Sequence, residues 1–190
     1  MARNCQITSV FIFCTPSLDG RPIIANPKPK LQGLTPLVAS DTRLLMLGSF
    51  PGVASLQAQA YYGHPRNQFW RLLGEVFGLA LEPADYPTRL VLLKAHGIGL
   101  WDVITETHRE GSLDSSIRAP RASDLAGLVA GLPALRAIGF NGGTAHRLGL
   151  RQLGPLAVNY RILALPSSSP AYTLPYADKL AAWRALAFQD

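Results

Sequence analysis

The segment Tyr61-Tyr62-Gly63-His64-Pro65-Arg66-Asn67-Gln68-Phe69-Trp70 gathers an aromatic pair, a histidine, an arginine and an asparagine immediately before a run with helical spacing. Aromatic faces can stack an unpaired base, a contact worth about 1–3 kcal/mol per base. An amide such as Asn67 can align a water without itself being ionised. The plainer reading makes Asn67 a helix cap and Phe69 and Trp70 core residues. A second segment, Gly48-Ser49-Phe50-Pro51-Gly52, has the composition of a sharp turn whose backbone N–H groups can approach a ligand, although any tight strand-to-helix turn uses such residues. Two more follow. Asn141 precedes Gly142 and Gly143, so its amide either reads a ligand edge with one donor and one acceptor or simply opens a turn. Ser167-Ser168-Ser169-Pro170-Ala171-Tyr172 supplies hydroxyls and an aromatic tip.

The elements that must position these residues begin at Arg43. Short apolar runs at Arg43 to Ser49, Gly99 to Ile104, Leu135 to Asn141 and Arg161 to Pro166 predict four strands. Between them, Phe69, Trp70, Leu72, Leu73, Val76 and Phe77 share one helical face, and Leu125, Leu128, Val129 and Leu132 share another. A last helix follows Pro175 and is expected to turn Leu180, Trp183 and Ala187 inward. Strands apolar almost throughout, separated by helices, predict an α/β fold with a mainly parallel sheet covered on both sides. Such sheets bind ligands beyond the carboxyl ends of their strands, where the chemistry-bearing segments fall.

Composition narrows the field. A chain of 190 residues with 48% hydrophobic content fits one compact domain. The net charge of +6 suits a nucleic-acid partner, but half the excess comes from Arg3, Arg21, Lys28 and Lys30 against Asp19 alone, so a slightly basic soluble domain explains it equally. Five prolines between Pro16 and Pro36 keep breaking regular structure, so residues 1–38 are expected to form a Pro/Gly-rich extension and residues 39–190 the domain. The only cysteines are Cys5 and Cys14, which leaves no disulfide framework or four-cysteine metal site for the body of the domain. Ile7 to Phe13 resembles a signal-peptide core without a cleavage site close behind it, and no stretch approaches a membrane span, so the cytoplasm is the expected compartment. His96 and His146 fall in helical patterns and His108 in a polar loop. Asp102 and Asp114 are read as loop tethers through Arg66, Arg118 or Arg121 rather than as acid–base groups.

In order along the chain, Gly48 to Gly52, Tyr61 to Trp70, Gly99-Leu100-Trp101-Asp102-Val103, Gly111-Ser112-Leu113-Asp114, Phe140 to Gly143 and Leu165 to Pro170 resemble the hypoxanthine-DNA glycosylase family of the uracil-DNA glycosylase superfamily. The likeness runs from about residue 38 to 188. It implies a three-layer α/β/α sandwich around a short, mainly parallel four-stranded sheet, a pocket receiving a base rotated out of damaged DNA, and a monomer needing no cofactor and no metal. The implied base pocket comprises Gly48, Ser49, Phe50, Pro51, Gly52, Tyr62, His64 and Asn141, with Tyr62 stacking the base. Ser167, Ser168, Ser169, Pro170, Ala171 and Tyr172 form the implied DNA-binding loop, with Ala171 and Tyr172 near the vacated space.

Two departures shape the mechanism that the resemblance implies. Several related branches carry Asn or Asp where Phe50 stands, to position water, and many carry a histidine where the serine run stands. Water alignment then falls to Asn67, as in the hypoxanthine-acting family. Breaking the C1′–nitrogen bond builds positive charge on the sugar and negative charge on the base, so orientation outweighs basicity. After Lys30 only Lys94 and Lys179 remain, both in helical patterns, which predicts a monofunctional enzyme that stops at the abasic site. The competing expectations are a uracil-specific or broad deaminated-base glycosylase, a hydrolase of free nucleosides, and a nucleic-acid-binding module with a dead site.

Overall fold

The computed structural model describes residues 30–187. The apolar run Ile7 to Phe13 and both cysteines lie outside the described residues. The strands are β1 (Leu31–Gln32), β2 (Leu44–Gly48), β3 (Ile98–Asp102), β4 (Ile104–His108), β5 (Arg118–Ala122), β6 (Ala137–Asn141) and β7 (Arg161–Leu165). The α-helices are α1 (Val53–Ala58), α2 (Phe69–Phe77), α3 (Tyr86–Ala95), α4 (Leu125–Ala130), α5 (Gly143–Leu153) and α6 (Tyr176–Trp183).

Four strands form a sheet in the order β3-β2-β6-β7, every pair parallel. Side chains alternate across it, and each face has its own core. Leu44 and Met46 join Phe69, Trp70, Leu72, Leu73, Leu93 and Trp183 on the side of α2, α3 and α6. Leu45 and Leu47 join Leu125, Val129, Ile138, Phe140 and Ala145 on the side of α4 and α5. This is the expected three-layer α/β/α sandwich, and burial on both faces is why β2 and β6 read as unbroken apolar runs. No helix among the described residues is long and apolar enough to cross a membrane.

A second sheet was not expected: β1, β4 and β5 pair in the order β1-β4-β5, antiparallel. The run expected as one strand from Gly99 to Ile104 divides at Val103. Backbone N–H groups of Val103 and Ile104 donate to the carbonyls of Gly48 and Ser49, which turns the chain out of the parallel sheet and into β4. His108 therefore closes a strand opposite Arg118, instead of lying in a loop. Residues 31–38, expected within the extension, are joined to the domain: Leu31 pairs with Thr107, Leu37 exchanges backbone bonds with Leu100, and Leu34 and Leu37 pack on the core. Ala187 is exposed and Leu186 is buried in its place. After Trp183 the helix tightens to a 3-10 turn over Arg184–Leu186, and three residues per turn advance the inward face by one position.

Candidate active site

The carboxyl ends of the parallel strands open into a cavity of about 370 Å³. Its wall includes Gly48 to Gly52 after β2, Asp102 at the end of β3, Asn141 at the end of β6, and Ser167 to Tyr172 after β7. Tyr61, Tyr62, His64 and Asn67 close one side, and Ser112 to Asp114 close another. All the residues expected of the base pocket, and the whole expected DNA-binding loop, thus meet around one space.

The segment carrying Tyr62 and Asn67 is held from several directions. Tyr61 donates its hydroxyl to the Thr35 carbonyl at 2.8 Å and its amide to the Tyr86 hydroxyl at 3.0 Å, while the Gly63 amide donates to Ser55 Oγ at 3.0 Å. Tyr62 is bent into the left-handed region at φ 54°, a conformation that costs a non-glycine residue about 1 kcal/mol or more. Its ring stacks on Phe69 with centroids 3.6 Å apart and planes 10° from parallel, so Phe69 is both core and support for the pocket wall. His64 Nδ1 accepts from the Arg66 amide at 3.1 Å, which places the proton of the neutral ring on Nε2.

Asn67 stands one residue ahead of Gln68, the N-cap of α2, so it is not itself the cap. Its Oδ1 accepts the Phe69 amide at 3.0 Å, fixing the side chain at the start of α2 while it faces the cavity. One lone pair of that oxygen remains for a water. The next residue ties the segment across the site: the Gln68 amide donates to the Ser168 carbonyl at 3.0 Å, and Gln68 Oε1 accepts from Lys179 Nζ at 2.9 Å.

Asn141 is more committed than expected. Its Nδ2 donates to Ser168 Oγ at 2.8 Å, and its Oδ1 accepts the Ser168 amide at 2.8 Å. Ser168 is fully buried, so this member of the expected DNA-binding loop fastens the loop to β6. Gly142, with φ 104°, turns the chain away where a side chain would crowd Ser167 Cβ at 3.2 Å. Ser169 donates its amide to Ser167 Oγ at 3.2 Å, and Ala171 donates its amide to Ser169 Oγ at 3.3 Å. These bonds shape the turn that leaves Tyr172 47% exposed at the rim.

The expected arginine tethers do not form. Asp114 accepts from Ser49 Oγ at 2.6 Å, and Ser112 Oγ accepts the Val53 amide at 3.0 Å, so this loop is stitched directly to the first motif. Arg118 donates instead to the carbonyls of Ser115 and Ile117. Arg109, which the sequence did not single out, donates to the Phe50 and Pro51 carbonyls and lies over the Phe50 ring at 5.0 Å. Phe50 is thereby sealed into the wall, with no polar atom to offer water.

Asp102 faces the cavity at 5% exposure, and its Oδ2 is buried without a hydrogen-bond partner. Burial, reinforced by the Asp114 charge and opposed by Arg109, pushes its pKa up to about 7. The Tyr62 hydroxyl is also buried without a well-formed hydrogen bond, and burial followed by the Asp102 charge raises its pKa against the opposing pull of the nearby Asn141 amide. Gly48 makes room for both: a methyl at that position would collide with Asp102 Oδ1 and lie 3.4 Å from the Tyr62 hydroxyl. The lone acidic residue at a strand end was the available signal in the sequence, but its isolation depends on the folded surroundings.

Comparison with known proteins fits this geometry. The profile of the Uracil DNA glycosylase superfamily matches residues 35–189. A protein named hypoxanthine DNA glycosylase from Methanosarcina barkeri is 37% identical over 154 residues, covering 81% of this chain and 96% of the relative. One of the same name from Methanosarcina acetivorans is 39% identical over 157 residues, covering 82% and 96%. A solution NMR structure of a Methanosarcina acetivorans protein, described under uracil DNA glycosylase, superposes with a TM-score of 0.72 at 38% identity, covering 83% of this chain and 96% of that one. With the cavity at the ends of four parallel strands and the match spanning nearly every described residue, the chain belongs to the uracil DNA glycosylase superfamily.

Proposed function

We propose that this chain is a monofunctional DNA glycosylase that rotates a deaminated base, hypoxanthine foremost, out of the duplex and hydrolyses its bond to deoxyribose. The observation that carries the reading is the position of Asn67: its amide is fixed by the Phe69 N–H and faces the cavity shared by Tyr62 and Ser167. The names of the two Methanosarcina relatives support hypoxanthine as the base. In this reading Tyr62, backed by Phe69, stacks the extruded base. Asn67 Oδ1 accepts a hydrogen bond from a water and aims it at C1′, which has become electron-poor as the bond to nitrogen lengthens.

In this reading chemistry stops at the abasic site, since no lysine amine among the described residues is offered to the sugar. Lys30 pairs with Glu106, and Lys179 Nζ is held by Gln68 Oε1 and the Tyr172 carbonyl. Lys94 lies on α3 against an apolar groove away from the cavity. The reading takes the enzyme as a monomer working in the cytoplasm on damaged DNA.

The test is a set of labelled duplexes carrying hypoxanthine, uracil or xanthine, treated with alkali after incubation to reveal abasic sites. Hypoxanthine release should be strongest, Asn67→Ala should abolish it while DNA binding persists, and no strand should break before alkali is added. The uracil description of the structural relative makes uracil the second candidate, and a stronger uracil signal would decide for it. Absence of release from every substrate would leave a nucleic-acid-binding module.

A further inference from the structure

Asp102 has no assigned part in the reading above, yet it is the most heavily buried acidic side chain among the described residues that face the cavity. A carboxyl group isolated in this way is costly unless something meets it. Gly48 clears the space in front of Oδ1, and Oδ2 is buried with no partner. Asn141 at the end of β6 and Ser168 in the loop after β7 are bonded to each other. Asp114 is bonded to Ser49. The wall therefore presents two buried polar side chains without a partner, the Asp102 carboxyl and the Tyr62 hydroxyl, and of the two the carboxyl is the stronger acid.

We propose that Asp102, as the neutral carboxylic acid, donates a hydrogen bond to the flipped base and stabilises the negative charge that gathers there as the glycosidic bond breaks. This rests on the glycosylase reading and supplies the leaving-group half of it. A carboxylate in the same place would repel the charge arriving on the base, whereas a neutral acid favours it. Enclosure of a carboxyl in an apolar site is an established way of keeping it protonated near neutrality. Here burial and the neighbouring Asp114 raise the pKa of Asp102 to about 7, against the opposing pull of Arg109. Besides Asp114, the other titratable groups of this wall are the Tyr61 and Tyr62 hydroxyls, whose own pKa values burial and Asp102 raise, His64, and Tyr172 at the rim.

The reaction balances with water as the only co-reactant. The electron pair of the C1′–nitrogen bond passes to the base, the oxygen of the water aligned by Asn67 bonds to C1′, and the proton shed by that water replaces any proton Asp102 gives up. The products are base–H and sugar–OH, with Asp102 again neutral.

The experiment compares pH profiles of single-turnover base release from a deoxyinosine duplex for the wild type, Asp102→Asn and Asp102→Ala, between pH 5.5 and 9. Wild-type release should fall about tenfold per pH unit above about pH 7. Asp102→Asn, which keeps a donor of the same shape, should lose less than about tenfold at pH 6 and lack the alkaline fall. Asp102→Ala should lose about a hundredfold or more at pH 6. Binding to a duplex with a non-hydrolysable 2′-fluoro-deoxyinosine, measured beside circular dichroism, separates lost chemistry from lost folding. An Asn variant that is folded and binds but is inactive at every pH, or one with the wild-type alkaline fall, would overturn the assignment. A wild-type protein that releases no base at all would instead sink the glycosylase reading itself.

Discussion

Asn141 and Ser168 join the sheet to the loop above the cavity through two reciprocal bonds of 2.8 Å, and this pairing sets a quantitative expectation. A neutral hydrogen bond nets about 0.5–1.5 kcal/mol, and a buried donor left unpaired costs about 1–3 kcal/mol. Asn141→Ala removes both bonds and strands the buried Ser168 N–H, so it should cost about 2–3 kcal/mol. Ser168→Ala removes one bond and leaves a half-buried amide that water can reach, for about 1 kcal/mol. Once Asn141 is gone the serine hydroxyl has no bond to lose. The double variant should then match Asn141→Ala, with a coupling energy of about 1 kcal/mol.

Urea denaturation followed by tryptophan fluorescence suits the measurement, since Trp183 is buried and donates Nε1 to the Pro166 carbonyl at the root of the same loop. For a domain of this size Asn141→Ala should lower Tm by about 4–12 °C. Strict additivity of the two substitutions would refute the reciprocal pairing. So would an Asn141→Ala protein of unchanged stability that has lost activity, because its amide would then be reading the base directly.

Lys179→Met should separate α6 from the site: with Gln68 Oε1 and the Tyr172 carbonyl unpaired, stability should fall by about 1–3 kcal/mol and KM for duplex substrate should rise, as seen in urea melts and steady-state kinetics. Leu113 is 54% exposed on a loop pinned through Ser112 and Asp114, and Tyr172 projects at the same rim; alanine at either position should slow release from duplex at least about fivefold more than from single strands. Asp102 also predicts a stability slope. Its native pKa lies above its unfolded value, so the native state holds the extra proton, and stability should fall as pH rises from about 4 to about 7 by up to about 1.4 kcal/mol per unit. Urea midpoints at pH 5 and pH 8 should show this fall in the wild type and a smaller one in Asp102→Asn.

What the sequence disclosed follows the physics of burial. Leu44 to Leu47 and Ala137 to Phe140 are covered on both faces, so their strands are apolar without interruption and could be read directly. The motifs at their ends followed from position alone. Strand β5 is fully exposed, carries two arginines and a proline, and lies at an edge; nothing in Arg-Ala-Pro-Arg-Ala announces a strand, so the second sheet was illegible. Pairings set by the fold were equally hidden. Asn141 meets a serine 27 positions away, Lys179 meets Gln68 111 positions away, and the rise of the Asp102 pKa is a property of the enclosed space around it. Asn67 lines the cavity, and the bond that fixes its side chain there is made to the amide of Phe69, two residues on.

The antiparallel ribbon of β1, β4 and β5 gives the cavity an origin in two separate pieces of architecture. Tyr62 and Asn67 come from the segment between α1 and α2 and Asp102 from the end of β3, while the rim at Ser112 to Asp114 hangs from the β4–β5 hairpin and touches the rest through short polar stitches. A change in that hairpin confined to the tip outside Arg109 and Asp114 would reshape the entrance while leaving Tyr62, Asn67 and Asp102 on their own segments.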